Sequence, residues 1–172
     1  LESGSIMPAS VSDVQKGVPG QPGELHGQFD LTQDLGTLYA NTNRGIFGRL
    51  SGTALADGLE AVEVAPRDEV EVGSAVIRSN IRGDAVEEFE VQITHVDTEG
   101  DGTRSLMLEV TDPDLLQATG GIVQGMSGSP ILQNGKLVGA VTHVLVNDPT
   151  KGYGIFAETM LKAAGGASGS EG

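Results

Sequence analysis

The sequence predicts an all-β fold, a barrel or a sandwich, and three observations lead there. Apolar and polar residues alternate over short stretches, most plainly at 87–96, where Phe89, Val91, Ile93 and His95 share one parity. Twenty-six glycines and seven prolines punctuate the chain without a repeating period. The apolar residues, 38% of the chain, are mainly aliphatic: four Phe, two Tyr and no Trp leave Val, Ile, Leu and Ala to build the core. Roughly eight to eleven short strands with polar turns favour this class over an alternating α/β chain.

Taken in order, residues 1–30 read as irregular or weakly extended, with 5–14 able to supply one strand and 18–23 a surface loop rich in Gly and Pro. A short strand follows at 37–40. Residues 45–50 make another, with glycines where a barrel strand bends. Alternation of apolar and acidic residues at 59–65 fits a strand with one wet face, and 69–77 plays a similar role. The strand at 87–96 turns at 97–102 and returns at 105–110. Asp112-Pro113-Asp114-Leu115-Leu116 suggests a short helical turn. Asn134-Gly135, between two apolar runs, is a strong hairpin signal because both residues accept positive φ. A strand at 153–156 and a helix at 157–164 end the domain, which spans 1–164. Residues 165–172 are a Gly/Ser-rich tail expected to fray.

Composition narrows the chemistry. The net charge of −14 comes from 24 acidic against ten basic residues, and such a surface repels phosphate backbones, so nucleic acid and anionic membrane are discounted as partners. The absence of cysteine excludes disulfides, thiolate metal sites and a cysteine nucleophile. No apolar run approaches the ~20 residues of a membrane span, and no signal peptide is visible. His26, His95 and His143 lack metal-ligand spacing, the acidic turn 97–102 lacks the spacing of a calcium loop, and no phosphate loop is present. No metal or organic cofactor is expected.

The stretch Gly120-Gly121-Ile122-Val123-Gln124-Gly125-Met126-Ser127-Gly128-Ser129-Pro130 carries the chemistry. A serine between glycines, just before a buried hairpin, suits an exposed nucleophile. The glycines leave room for a substrate main chain and let the Gly125 and Ser127 N–H groups converge as an oxyanion hole. The same residues also make an ordinary tight turn. Ser129 competes with Ser127, but Gly-x-Ser-Gly-x-Pro places the reactive position first.

This block closely resembles the SpoIVB-type serine peptidases of endospore-forming bacteria. The matching text is Val110-Thr111-Asp112-Pro113, residues 119–130, Gly139-Ala140-Val141-Thr142-His143-Val144, Val146-Asn147-Asp148-Pro149 and Gly152-Tyr153-Gly154. Weaker similarity runs back through Gly45-Ile46-Phe47-Gly48 to Pro22-Gly23-Glu24 and Gly17. The resemblance implies a chymotrypsin-like double β-barrel, whose N-terminal part could be incomplete here, with the active site between the barrels. It implies Ser127 as nucleophile and Asp112 as the acid of the triad, although Asp before Pro with Leu-Leu downstream is also a helix N-cap.

The base is the unmatched member. In the family it belongs to a Gly-His-x-Ile-Ser-Asp type of segment that no position of this chain matches, and which aligns upstream of Leu1. His26 has the chymotrypsin-like order of base, acid and nucleophile and is the candidate within the chain. His143 matches a non-catalytic histidine and reads as a core or cleft-wall residue, and His95 reads as structural. The resemblance further implies a sporulation signalling role in the space between forespore and mother-cell membranes. There the peptidase cleaves a membrane-anchored regulator and also itself. The unmatched histidine keeps a second reading alongside: a catalytically inactive peptide-binding or scaffold domain on the same barrel.

Overall fold

The computed structural model describes residues 4–53 and 55–168. Strands β6 (Gly73–Ser79), β7 (Glu87–Val96), β8 (Leu106–Val110), β9 (Pro130–Gln133), β10 (Lys136–Leu145) and β11 (Asp148–Phe156) close into one antiparallel barrel in the order β10-β11-β8-β7-β6-β9. Ahead of them, β1 (Gly4–Ile6), β4 (Gly36–Thr42) and β5 (Gly45–Leu50) form a three-stranded sheet, and β2 (Ala9–Gln15) pairs with β3 (Glu24–Phe29). Helix α1 (Pro113–Thr119) lies between β8 and β9, and α2 (Ala157–Ser168) follows β11. The chain adopts the expected all-β, chymotrypsin-like class, with only the C-terminal one of the two implied barrels closed among the described residues. Its C-terminal half is a closed barrel and its N-terminal half two small open sheets.

Alternation builds the barrel core. Phe89, Val91 and Ile93 of β7 face inward and meet Ile77 of β6, Leu106 and Leu108 of β8, Ile131 of β9 and Phe156 of β11. The Asn134-Gly135 turn behaves as its residues require, with φ of 52° and 76°, and delivers β9 directly into β10. Period-two alternation fails where the strands bulge. A register shift between Ile93 and His95 turns His95 out to solvent, against the expectation from its parity. A second shift, between Val141 and His143, leaves His143 exposed beside the buried Val141.

Other expectations change for want of a partner. Residues 59–65 do not form a strand: Leu59 and Val62 are exposed, and only the end of the segment touches the barrel, through Glu63 and Ala65 bonded to Leu137. Residues 67–69 form a turn of 3-10 helix, so β6 begins at Gly73. The first 30 residues are more regular than expected, since β1, β2 and β3 find partners. Strand β11 starts at Asp148 rather than at 153, and α2 runs past 164 to Ser168. The rest of the expected tail, 169–172, lies outside the described residues.

The N-terminal half leans on the barrel. Before Ala65, Phe47 is the one buried apolar side chain among the described residues. The β2–β3 pair docks through Leu25 N–H to the Gln124 carbonyl (2.8 Å), Gln124 N–H to the Gly23 carbonyl (2.9 Å) and Gly17 N–H to the Thr119 carbonyl (2.9 Å). Gly120, at φ 77°, lies so close to Gly17 that a Cβ there would sit 2.3 Å from its carbonyl oxygen. Arg67 ties the other end together. Its guanidinium bonds Glu158, Thr159 and the carbonyls of Thr98 and Gly100, and covers the Phe156 ring at 5.1 Å.

Candidate active site

Residues 120–130 are shaped by which side chains enter the core. Ile122, Val123 and Met126 are buried, Met126 completely, so the intervening Gln124, Gly125, Ser127 and Gly128 are turned outward. Gly125 at φ 98° and Gly128 at φ 91° supply the reversals this requires. Gly128 N–H bonds the Val141 carbonyl (2.8 Å), and Ser129 N–H bonds the Met126 carbonyl (3.0 Å), fixing the elbow on β10. The Ser129 hydroxyl is turned inward to that of Ser79, which leaves Ser127 as the exposed serine of the pair.

The Ser127 hydroxyl donates to the Thr142 carbonyl at 3.1 Å. It stands in a cleft of about 370 Å³ between barrel and N-terminal sheet, with Thr142 and His143 on one wall and the β4–β5 turn, including Arg44, on the other. Arg44 is held by an ion pair to Asp101 at 2.7 Å. The Gly125 and Ser127 N–H groups make no hydrogen bond within the described residues, although their neighbours on both sides do. An exposed hydroxyl on an elbow with two uncommitted amides has the groups needed to attack a carbonyl and receive the resulting oxyanion.

The remaining candidates are placed differently. Both oxygens of Asp112 are occupied by main-chain donors. Oδ1 accepts from Asp114 N–H (2.9 Å) and Leu115 N–H (3.0 Å) as the N-cap of α1, and Oδ2 accepts from Glu90 N–H (3.2 Å). No histidine touches it, so the structure gives Asp112 a capping role and does not join it to Ser127. His26 is also kept from the nucleophile. Its neighbour Leu25 packs over Gly125, within 3.1 Å of where a Cβ would be, and strand alternation sends His26 to the exposed opposite face. Of the three histidines, only His143 lines the cleft of Ser127. Among the described residues no group of three or more His, Asp or Glu could hold a metal, and no helix is long and apolar enough to cross a membrane.

Two parts of the site escaped the sequence reading. The Thr142 carbonyl that holds the Ser127 hydroxyl depends on the bulge in β10. The far wall at Thr42–Ile46 comes from a sheet whose docking no local pattern reports.

Comparison with known proteins bears on the fold and the family. The crystal structure of Rv3671c from M. tuberculosis, an inactive form carrying a serine-to-alanine substitution, superposes with a TM-score of 0.57 over 95% of this chain and 87% of that one. At 10% identity the likeness concerns the fold. No curated protein sequence matches the chain. The family model of the SpoIVB peptidase S55 matches residues 1–161. The chain therefore belongs to the SpoIVB peptidase S55 family and is a serine peptidase domain.

Proposed function

We propose that the chain is an endopeptidase that works through an acyl-enzyme on Ser127. The Ser127 Oγ attacks a peptide carbonyl and its proton passes to a base. The tetrahedral oxyanion is received by the Gly125 and Ser127 N–H groups. Collapse then breaks the C–N bond, the amine leaves with a proton, and water releases the acyl group. The carrying observation is the exposed Ser127 hydroxyl on an elbow whose Gly125 and Ser127 amides make no hydrogen bond within the described residues. The edge of β10 supports an extended substrate: β9 pairs with it only as far as Ala140, and from His143 onward β11 is its one strand partner among the described residues.

Family membership supports the finer reading of a sporulation signal. In it, the enzyme cleaves a membrane-anchored regulator and itself, in the space between the forespore and mother-cell membranes. A second reading is favoured by one observation. Ser127 bonds a carbonyl rather than a histidine, as a peptide-binding domain without catalysis would allow.

Fluorophosphonate labelling separates the two and assigns the base. We expect a label on Ser127 that disappears in Ser127→Ala and persists in His26→Ala. Loss in His143→Ala would make His143 the base, whereas persistence would assign the base outside His26 and His143. No label on Ser127, even at high probe concentration, would leave the binding domain.

A further inference from the structure

The Ser127 elbow separates two cavities, and only one is used above. On its other side lies a groove of about 610 Å³ between β3 and the end of β6. Gly128 lines both cavities, and Gly125 lines the second one. We propose that this groove receives the part of the substrate on the leaving-amine side of the scissile bond, and that it selects apolar side chains there.

The assignment of sides rests on the acyl-enzyme reading of Ser127. A peptide crossing the elbow must enter one cavity with each end. The acyl end has the open edge of β10 to pair with, in the cleft that Thr142 and His143 line. The amine end is then directed past Gly125 towards β3. There Leu25, Gly27 and Phe29 share the face of β3 that lines the groove, with Val11 and Pro130 completing apolar walls. Phe29 is 68% exposed, an apolar ring with no covering element in the described chain. The charged group on the lining, Arg78, is already paired with Glu88 at 3.1 Å. The buried Ser79 and Ser129 hydroxyls bond one another. Ser10 and Asn80 also line the groove, so a ligand meets apolar walls with these two polar residues beside them.

Gly27 gives a clean way to fill the groove. A Cβ there would meet only the Ser10 carbonyl at 3.6 Å, an ordinary contact, and its φ is not positive. A β-branched residue is at home in a strand. The test uses the Ser127→Ala chain and short peptides with a free amino terminus, carrying Leu or Phe against Asp in the first two positions. Binding is read by calorimetry and folding by thermal melts. We expect the apolar peptides to bind better, and Gly27→Val or Phe29→Ala to weaken them about tenfold. Gln28→Val, on the opposite face of β3, should leave binding unchanged. Equal binding of apolar and acidic peptides, or indifference to both groove substitutions in folded protein, would overturn the proposal. Labelling of Ser127 in the unsubstituted chain reports the acyl-enzyme reading separately. A labelled chain whose peptides ignore the groove loses only the groove. An unlabelled chain whose apolar peptides depend on Gly27 and Phe29 keeps the apolar site and loses the chemistry.

Discussion

The two halves of this molecule place their apolar residues differently. In the barrel, hydrogen-bonded strands close around Ile77, Ile93, Leu106, Leu108 and Ile131, each with no solvent exposure. In the N-terminal half, two open sheets bury a single apolar side chain among the described residues, Phe47, and expose Phe29, Leu31, Ile46 and Leu50. The barrel holds the Ser127 elbow rigid by burying Met126 beneath it. The N-terminal half supplies walls, Arg44 on one side of the elbow and Leu25 on the other. Nucleophile and substrate walls thus belong to regions of unequal stability, so damage to one should be separable from damage to the other.

The largest effect should come from the barrel core. Leu108→Ala is expected to cost about 2–5 kcal/mol in denaturant unfolding, whereas Leu31→Ala, at a 78% exposed site, should stay within about 0.5 kcal/mol. Equal costs would break the contrast. Next comes the seam. Gly120→Ala places a side chain at positive φ against the Gly17 carbonyl and should cost at least about 2 kcal/mol. Its signature is faster hydrogen exchange in β2 and β3 with the barrel still protected. Uniform loosening would mean that the halves unfold as one.

Smaller effects sharpen the site. Asp112→Ala should lose about 1 kcal/mol by uncapping α1, and Asp112→Asn should restore most of it, since Asn caps as well as Asp. With a capping role alone, the Asn variant keeps its Ser127 label. A folded Asn variant that takes no label would return Asp112 to the triad. The smallest effect is in acid. The Arg67 backbone N–H, with help from its guanidinium, holds the Glu158 carboxyl below the usual carboxylate range. A carboxyl depressed by folding stabilises above its unfolded pKa, and that contribution is lost as pH falls through the folded value. Stability should therefore decline below about pH 4, and Glu158→Gln should flatten that decline in pH-dependent melts.

Much of the barrel was legible in the sequence because its signals are local. Phe89, Val91 and Ile93 repeat every second residue, and Asn134-Gly135 can hardly be other than a hairpin turn. The Ser127 elbow was legible for the same reason, as its glycines and its buried Val123 and Met126 lie within a few residues. What was hidden is not local. The bulges that expose His95 and His143 follow from pairing with another strand, and residues 59–65 carry strand-like alternation but pair only at their end, through one bridge from Val64 to Leu137. His26 looked available by chain order, yet its facing is decided by the docking of Leu25 on Gly125.

The most direct test is amide hydrogen exchange, resolved by residue, at the elbow. In the free chain the Gly125 and Ser127 N–H groups should exchange quickly, while those of Gly128 and Ser129, bonded to Val141 and Met126, are protected. Phosphonylation of Ser127 should then slow the first pair. Protection of Gly125 and Ser127 before any ligand is added would mean that no oxyanion hole waits there, and would contradict the peptidase chemistry drawn from this site.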